Sequence, residues 1–432
     1  MKVCVLGLWH LGTVTAACLA SGGHQVIGVD FDESVIADLR LGKPPLFEPG
    51  LEDLVKKGIH AGALDFSTDL AQAVCEAQVI WVAFDTPVDD DDKADVEYVI
   101  KCISRLFPHL KAGQELLISS QLPVGTSKHL EKLFKKTRPD IQVSFSYSPE
   151  NLRLGKAISV FTQPDRVVIG TRSDTSRKLF TELLSPFTDH IEWMSVESAE
   201  MTKHALNAFL ATSVTFINEI ATICEQVGAD AKDVERGLKS ESRIGPKAYL
   251  GPGGAFSGGT LARDIAFLST IGQEHKLPLR LFPAIKASND AHKKWPSRRL
   301  DQLLGGVAGK TIAIWGLTYK PGTDTLRRSS AIELCQWLVE QGAKVQAHDP
   351  AITQLPEQFE VIKLCKSPLE SVRNADAIVV ATEWPEYRRV SMPEIIAAMH
   401  KPFILDANRF LSAALETQAN ITYVTVGKAI EA

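Results

Sequence analysis

Residues 2–30 read KVCVLGLWHLGTVTAACLASGGHQVIGVD, and this stretch decides the fold. The pattern predicts a buried strand over Lys2–Gly7, a glycine turn, a helix over Thr13–Ser21 and a second strand over His24–Asp30. A strand, helix and strand in this order form the unit from which open parallel sheets are built.

The turn of this unit has the spacing of a dinucleotide-binding fingerprint. In that fingerprint the helix N-terminus binds the pyrophosphate and the terminal acid binds the adenosine ribose. The candidate cofactor residues are Gly7, Leu8, Trp9, His10, Leu11, Gly12 and Asp30. Trp9 replaces the second glycine, so bound phosphates would lie further from the backbone. Asp30 and Asp32 would repel a 2′-phosphate, which favours NAD over NADP.

The alternation of strand and helix signals continues along the chain. Further strands are predicted at Val79–Phe84, Glu115–Ser119, Gln142–Tyr147, Arg166–Gly170, Thr311–Gly316, Lys344–His348, Ala377–Ala381 and Phe403–Asp406. The sequence therefore predicts an α/β protein with two Rossmann-like doubly wound parallel-sheet domains. Ligands bind at the carboxyl ends of such strands.

Between the two sheets, Ser195–Val227 has the pattern of one long, mostly apolar helix. Lys203 and Asn207 lie four residues apart on one face of it, which indicates a site, although a lysine extending toward solvent is the alternative. The predicted domains are 1–194, 195–300 and 301–432. The apolar surface of the helix favours a homodimer formed through it.

Two loops are suited to anionic ligands. The glycine-rich segment between Ser242 and Asp264 favours a backbone wrapped around an anion or a sugar, and a mobile surface loop is the alternative. Lys320–Arg328 is a cationic loop suited to a diphosphate. The acidic run Asp89–Asp92 is better explained as a solvated loop than as a cation site.

Composition excludes several classes of function. The net charge of −5 without basic clusters argues against nucleic acid as a partner, and apolar and charged fractions of 45% and 23% are those of an ordinary soluble protein. Apolar runs of membrane length and a signal peptide are not found. The seven scattered cysteines indicate reduced thiols in a cytoplasmic protein, without a metal site.

The order of the motifs resembles the UDP-glucose/GDP-mannose dehydrogenase family over essentially the whole chain. The motifs that carry the resemblance are Glu48-Pro49-Gly50-Leu51, Thr86-Pro87, Pro123-Val124-Gly125-Thr126, Ser148-Pro149-Glu150, Glu200 with Lys203 and Asn207, Asn218-Glu219, Arg243-Ile244-Gly245, Gly316-Leu317-Thr318-Tyr319-Lys320-Pro321 and Thr382-Glu383-Trp384. The resemblance implies an N-terminal NAD domain, a helical spine that forms a dimer and a C-terminal nucleotide-sugar domain. Its members oxidise the sugar C6 alcohol twice with two NAD.

The resemblance also implies roles for individual residues. Lys203 and Asn207 would stabilise oxyanions, Asp264 would act with Lys203 through water as acid and base, and Glu150 would assist water chemistry. Cofactor contacts would come from Thr86, Gln121, Arg263 and Arg327. Substrate contacts would come from Glu150, Leu152, Arg153, Lys203, Asn207, Tyr249, Leu250, Gly253, Gly258, Lys320 and, across the dimer, Arg243.

The chain departs from this family pattern at the nucleophile. The family loop carries a cysteine where this sequence has Thr260, within Ser257-Gly258-Gly259-Thr260-Leu261-Ala262-Arg263-Asp264. Gln121 stands where relatives carry threonine. A threonine hydroxyl is a far poorer nucleophile than a thiolate, so covalent catalysis through Thr260 is not expected.

These observations predict an NAD-dependent oxidoreductase that acts on the C6 alcohol of a nucleotide sugar. The favoured substrate is a UDP-hexose, and the expected process is polysaccharide or glycoside biosynthesis. The first oxidation to the aldehyde is expected. The second oxidation is not expected to follow the usual route, because Thr260 replaces the cysteine nucleophile; a variant of this hypothesis has the aldehyde hydrate donate the second hydride, with Glu150 or Asp264 activating the water. The alternatives are a catalytically silent homologue that holds nucleotide sugar and NAD, and a protein in which Trp9 abolishes NAD binding.

Overall fold

A computed structural model describes residues 1–87, 89, 94–257, 259–415, 418 and 421–430. The chain divides into two compact units, 1–206 and 207–432, and the division falls within one long helix. The three predicted domain ranges remain a prediction. The prediction for the acidic run Asp89–Asp92 lies outside the described residues, except at Asp89.

The first unit is a sheet with helices on both faces. Its strands are β1 (Lys2–Leu6), β2 (Gln25–Val29), β3 (Leu64–Ser67), β4 (Val79–Val82), β5 (Glu115–Ile118), β6 (Ser144–Tyr147), β7 (Val167–Gly170) and β8 (Ile191–Met194). The order β3-β2-β1-β4-β5-β6-β7-β8 reverses direction between β1 and β4. This reversal is the point at which open sheets bind ligands.

The helices of the first unit bury both faces of this sheet in two apolar clusters. They are α1 (His10–Ser21), α2 (Glu33–Arg40), α3 (Leu51–His60), α4 (Leu70–Glu76), α5 (Val96–Ser104), α6 (Thr126–Thr137), α7 (Ala157–Thr162), α8 (Asp174–Leu184) and the start of α9 (Val196–Val227), with a 3-10 turn at Phe107–His109. Strands covered on both faces are continuous apolar runs, as Val79–Val82 shows.

One detail of the parallel sheet was predicted wrongly. β7 pairs antiparallel to β6 through Tyr147 and Gly170, and β8 is parallel to β7. The connection from β6 to β7 contains only the six-residue α7.

The second unit repeats the architecture with six strands. They are β9 (Thr311–Trp315), β10 (Lys344–His348), β11 (Lys363–Leu364), β12 (Ala377–Val380), β13 (Phe403–Asp406) and β14 (Thr422–Val424), in the order β11-β10-β9-β12-β13-β14. All five pairings are parallel. The predicted fold class, two Rossmann-like sheets with a long helix between them in sequence, is confirmed.

The remaining helices belong to the second unit. They are α10 (Ala231–Ser240), α11 (Gly259–Glu274), α12 (Leu281–Lys293), α13 (Trp295–Leu304), α14 (Ser330–Glu340), α15 (Pro368–Ser371), α16 (Met392–Ala398) and α17 (Ser412–Leu415), with 3-10 turns at Glu357–Phe359 and Pro385–Arg389. The helices α12 and α13 are separated at Lys294, because Pro296 lacks the N–H that an uninterrupted helix would need.

The helix α9 begins at Val196 and ends at Val227, and Gly228 follows with φ of +76°, the left-handed conformation in which many helices end. By length and composition alone it would pass for a membrane span, contrary to the expectation that no apolar run reaches that length. Half of its most apolar 18-residue window is buried inside the protein. Glu200, Lys203, Asn207 and Asn218 on it are all buried as well.

Candidate active site

The cofactor turn of the first unit is built by glycines that permit close backbone contact. Gly7 has φ of +84°, and a Cβ there would lie 2.8 Å from the Cα and N of Phe84. A Cβ on Gly12 would lie 1.8 Å from the carbonyl oxygen of Gly7. The helix α1 can therefore begin directly after the turn, at His10, with its free N–H groups at the carboxyl edge of the sheet.

Trp9 occupies the position before this helix without backbone strain, since its φ is −75°. Its side chain is 48% exposed and lines a cleft of about 290 Å³. The other residues that line the cleft are Gly7, Asp30, Phe84, Asp85, Pro87 and Tyr98. The indole is therefore a wall of the cleft and does not close the turn.

Asp30 lies at the end of β2 and its carboxylate faces the turn. Oδ2 accepts a hydrogen bond from the N–H of Leu8 at 2.7 Å, and Oδ1 accepts one from the N–H of Asp32 at 3.1 Å. The residue is only partly buried and lines the cleft together with Asp85. Each carboxylate oxygen has a second lone pair, so Asp30 has free acceptor capacity toward ribose hydroxyls. Two carboxylates at this position disfavour a 2′-phosphate.

Two further cofactor candidates meet at the neighbouring strand ends. The Thr86 hydroxyl, which follows β4, donates a hydrogen bond to the main-chain oxygen of Gln121, which follows β5, at 2.6 Å. Thr86 is 7% exposed. The candidates Arg263 and Arg327 belong to the second unit.

Lys203 has its contacts in the first unit. Its ammonium group donates a hydrogen bond to the main-chain oxygen of Glu150 and lies 3.6 Å from Oε2 of the same residue. Lys203 is 8% exposed. A buried ammonium requires such partners, so the structure places this cation at the loop after β6 and not in solvent. Of the two other candidates in that loop, Leu152 packs against the apolar core and Arg153 is exposed.

Asn207 has its contacts in the second unit. Its amide Nδ2 donates a hydrogen bond to Oδ2 of Asp264, which is fully buried on α11. Thr260 is exposed near the start of the same helix, and Arg263 is half-buried one residue before Asp264. The pair Asn207–Asp264 thus combines an amide and a carboxylate in a buried environment.

The glycine-rich loop is held in place by side chains that the sequence analysis did not assign. Asn218 Oδ1 accepts from the N–H of Gly253 at 3.0 Å, and its Nδ2 donates to the oxygen of Gly254 at 3.2 Å. Asn408 Oδ1 accepts from the N–H of Gly254 at 2.7 Å, and His292 contacts the oxygen of Gly253 at 2.8 Å. These partners are 35 or more residues away in sequence, so local patterns do not reveal them.

The other substrate candidates of this region are distributed differently. Leu250 is buried, whereas Tyr249 is 59% exposed. Arg243 is exposed and pairs with Glu241 at 3.0 Å. Gly258 lies outside the described residues.

A cavity of about 260 Å³ opens at the carboxyl edge of the second sheet. Lys320 and Tyr319 line it from the loop after β9, and Glu383 and Asn408 line it from the loops after β12 and β13. Burial raises the pKa of the Glu383 carboxyl above its ordinary value, and a hydrogen bond with Asn408 partly offsets that effect. A cation at the rim and a carboxyl that resists ionisation both suit a diphosphate ligand.

Comparison with known proteins agrees with this arrangement. Three models of the UDP-glucose/GDP-mannose dehydrogenase family match the chain: the NAD-binding domain at residues 1–188, the central domain at 197–291 and the UDP-binding domain at 313–413. The UDP-glucose 6-dehydrogenase of Rhizobium meliloti is 35% identical over 99% of this chain and 100% of its own length. That of Pseudomonas aeruginosa is 32% identical over 99% and 98%.

The chain belongs to the UDP-glucose/GDP-mannose dehydrogenase family. A solved UDP-glucose dehydrogenase from Pyrobaculum islandicum superposes with a TM-score of 0.88 at 27% identity, over 99% of this chain and 98% of that one. As a member of this family the protein is an NAD-dependent nucleotide-sugar dehydrogenase.

The cleft at Asp30 fits the cofactor of this dehydrogenase family. The helix N-terminus of α1 supplies N–H donors for a pyrophosphate, and the partly exposed carboxylate of Asp30 supplies an acceptor for the ribose. The residues that would hold NAD in this unit are the turn Gly7–Gly12, Asp30, Thr86 and Gln121.

The buried thiols of this family member are not disposed for nucleophilic catalysis. All seven cysteines are free, Cys75 is exposed and the other six are buried. Burial raises the pKa of Cys4, Cys18 and Cys335 to about 12. At such values the thiolate is scarce near neutral pH.

Proposed function

We propose that this dehydrogenase oxidises the C6 alcohol of a UDP-hexose to the aldehyde. The observation that carries the proposal is the pair of buried polar contacts on successive turns of α9, from Lys203 to Glu150 and from Asn207 to Asp264. Nothing in core packing requires an ammonium and an amide at these positions, since buried polar groups lower stability unless they are paired.

The chemistry of the first oxidation can be assigned to these groups. The alcohol R–CH₂OH loses a hydride from C6 and a proton from the hydroxyl. NAD, when bound, accepts the hydride. Asp264, with Lys203 and a water, takes the proton, and the ammonium of Lys203 and the amide of Asn207 stabilise the negative charge that develops on the oxygen.

The second oxidation lacks its usual nucleophile. An aldehyde must become tetrahedral before it can release hydride, and Thr260 is a weak nucleophile without a dedicated base, since the Asp264 carboxylate on the same helix accepts from Asn207. The route that the residues support is addition of water to give the hydrate R–CH(OH)₂, with Glu150 or Asp264 as the base that activates the water. This route is slower than covalent catalysis, so the reaction stops at the aldehyde or proceeds slowly to the acid.

The experiment is to count NADH formed per sugar consumed, with a panel of UDP-hexoses and identification of the product by mass spectrometry. A ratio of one with an aldehyde product supports the halted reaction, and a ratio of two with an acid supports the hydrate route. The matched variant is Thr260→Cys, which restores a thiol at an exposed position near the start of α11. If the natural chain forms one NADH per sugar consumed, this variant is expected to form two.

The alternative from another class is a catalytically silent protein that binds nucleotide sugar and NAD. Trp9 and Thr260, which depart from the family pattern, motivate it. Tight binding of UDP-sugars by calorimetry, without NADH from any sugar, would favour this alternative and contradict the proposal.

We further propose that the protein is a homodimer formed through α9. Phe209, Phe216 and Ile223 are 69%, 47% and 58% exposed and lie seven residues apart, so they form one apolar stripe along the helix. A second copy of the same stripe would bury them. Sedimentation analysis should give a dimer for the natural chain and a monomer for Phe216→Glu. A monomeric natural chain would contradict this part of the proposal.

A further inference from the structure

A buried carboxylate connects the cofactor turn with the loop that carries Glu150. Glu48 is 4% exposed and lies in the segment between α2 and α3. It accepts hydrogen bonds from His10 Nε2 at 2.9 Å, from the N–H of Gly155 at 2.7 Å and from the N–H of Ala157 at 2.9 Å. Three donors that are distant in sequence therefore meet on one carboxylate.

The first of these donors belongs to the cofactor turn. His10 is the first residue of α1, and its side chain is 15% exposed. A carboxylate can only accept, so Nε2 of His10 carries the proton in this contact. The N-terminus of α1 is also where the pyrophosphate of NAD is expected to bind. A pyrophosphate there would lie next to His10 and would restrict the motion of the residue that donates to Glu48.

The other two donors belong to the segment after β6. Gly155 has φ of +86°, a conformation that suits glycine, and this turn directs its N–H and that of Ala157 toward Glu48. Five residues earlier in the same segment is Glu150, which binds the ammonium of Lys203. Hydrogen bonds thus connect His10 through Glu48 to Gly155 and Ala157, and the five-residue backbone segment before Gly155 leads to Glu150 and its contact with Lys203.

We propose that His10 and Glu48 are positioning residues, through which NAD bound at the turn orders the segment 148–157 and thereby holds Glu150 and Lys203. The catalytic importance of that segment rests on the proposed function. The mechanical connection itself requires only that NAD binds to the turn.

A purely structural role for Glu48 would have a different signature. Glu48 could instead serve only to accept from the N–H groups of Gly155 and Ala157. In that case these hydrogen bonds would not need His10, and NAD would not change the hydrogen-exchange rates of the two amides. If the connection is real, loss of the His10 donor must uncouple the segment from the cofactor while the fold remains intact.

The test is amide hydrogen exchange of the peptide that spans residues 148–162, measured with and without saturating NADH. In the natural chain NADH is expected to slow exchange at Gly155 and Ala157 on the order of fivefold or more, the lower end of typical coupling between sites. His10→Phe, which removes the donor, should abolish this slowing. His10→Gln, whose Nε2 can donate in its place, should retain most of it.

A matched control is His60→Gln, because the His60 ring contacts only its local Lys56 oxygen among the contacts described. It should leave the effect of NADH unchanged. Melting temperature and NADH titration verify that each variant is folded and saturated. Glu48→Gln provides a second variant that removes the charge, should His10→Phe fail to fold.

Two results would overturn the proposal: NADH binding without slower exchange in the natural chain, or slowing of equal size in His10→Phe. Failure of the proposed function is distinguishable, because it would appear as absence of NADH formation from any UDP-sugar and would leave these exchange rates as they are.

Discussion

The turn that joins β1 to α1 and the turn after β9 use the same backbone device with different outcomes. Gly7 and Gly316 have φ of +84° and +90°, and each donates its N–H to the last residue of the neighbouring strand, Val29 at 3.0 Å and His348 at 2.8 Å. The next N–H, of Leu8 or Leu317, donates to an aspartate at 2.7 or 2.6 Å.

The two aspartates differ in what surrounds them. Asp30 is partly exposed at a cleft, whereas Asp349 is 4% exposed. Asp349 also accepts from Thr318, from the N–H of Ala351 and from the indole of Trp384 at 3.1 Å. The Asp349 carboxylate is therefore covered by protein groups and has almost no accessible surface with which to contact a ribose.

The distance to the next helix differs as well. After Gly7 the helix α1 begins three residues later, at His10, whereas after Gly316 the helix α14 begins only at Ser330. The intervening segment carries Lys320 and lines the cavity of about 260 Å³. The two turns thus share their strand and backbone geometry but differ in the burial of the aspartate and in the distance to the next helix, and we expect these two differences to decide which ligand each turn binds.

The largest expected effect comes from the glycines that both turns share. Alanine at Gly7 would place Cβ 2.8 Å from Phe84 backbone, and alanine at Gly316 would place it 2.7 Å from the N of Thr382, both at positive φ. Each variant should lose about 2–5 kcal/mol of unfolding free energy. Denaturant titration measures the loss.

NADH binding then separates the two turns. Gly7→Ala should lose it, and Gly316→Ala should retain it under conditions where the protein is folded. If Gly316→Ala lost NADH binding while folded, the assignment of the cofactor to the first turn would be wrong.

The aspartates give the next largest effect. Asp30→Asn removes a charged acceptor for the ribose and should weaken NADH binding by about 10- to 100-fold, equivalent to about 1.5–3 kcal/mol. Asp349→Asn should leave NADH affinity unchanged and cost about 1–3 kcal/mol of stability, since its amide would oppose buried donors. Fluorescence titration of NADH and thermal unfolding measure the two quantities. Equal effects on NADH affinity would refute the difference between the turns.

Many of the strands that carry these two turns could be predicted from the sequence. The strands that were missed have a physical explanation. Lys344–His348 alternates polar and apolar residues and Phe403–Asp406 is mostly apolar, and the predicted bounds of both strands are those of the structure. β3, formed by Leu64-Asp65-Phe66-Ser67, was not predicted. Short strands of this kind depend on a neighbour, here β2, for their formation.

The site shows the same division. Lys203 and Asn207 could be singled out because polar groups in an apolar helix are conspicuous, whereas Asp264 was a candidate only through the family resemblance. The contacts of Asn218 and Asn408 with the glycine-rich loop and the burial of Asp349 by Trp384 arise from residues that meet only in the folded chain. The roles of these residues remain predictions that the variants described above test.

The smallest expected effect is a pH dependence at the second cavity. Burial raises the pKa of Glu383, so the neutral form persists above the ordinary pKa of glutamate, 4.5. A bound diphosphate, being negatively charged, favours the neutral form of Glu383 further. Binding is therefore accompanied by uptake of a proton at Glu383. Affinity for UDP-glucose should therefore fall as pH rises through the pKa of Glu383 and then level off.

Calorimetry of UDP-glucose without NAD, repeated at several pH values, measures this dependence. Glu383→Gln should remove it, while NADH affinity at the first cleft should be unaffected. A slope that persists in Glu383→Gln would assign the titration to another group.

The most direct test is calorimetric titration of NADH into the protein in the absence and presence of saturating UDP. Because only the first turn has both an accessible aspartate and an adjacent helix start among the residues described, one NADH should bind per chain, and UDP should not displace it. Two NADH sites per chain, no site, or displacement of NADH by UDP would contradict this account.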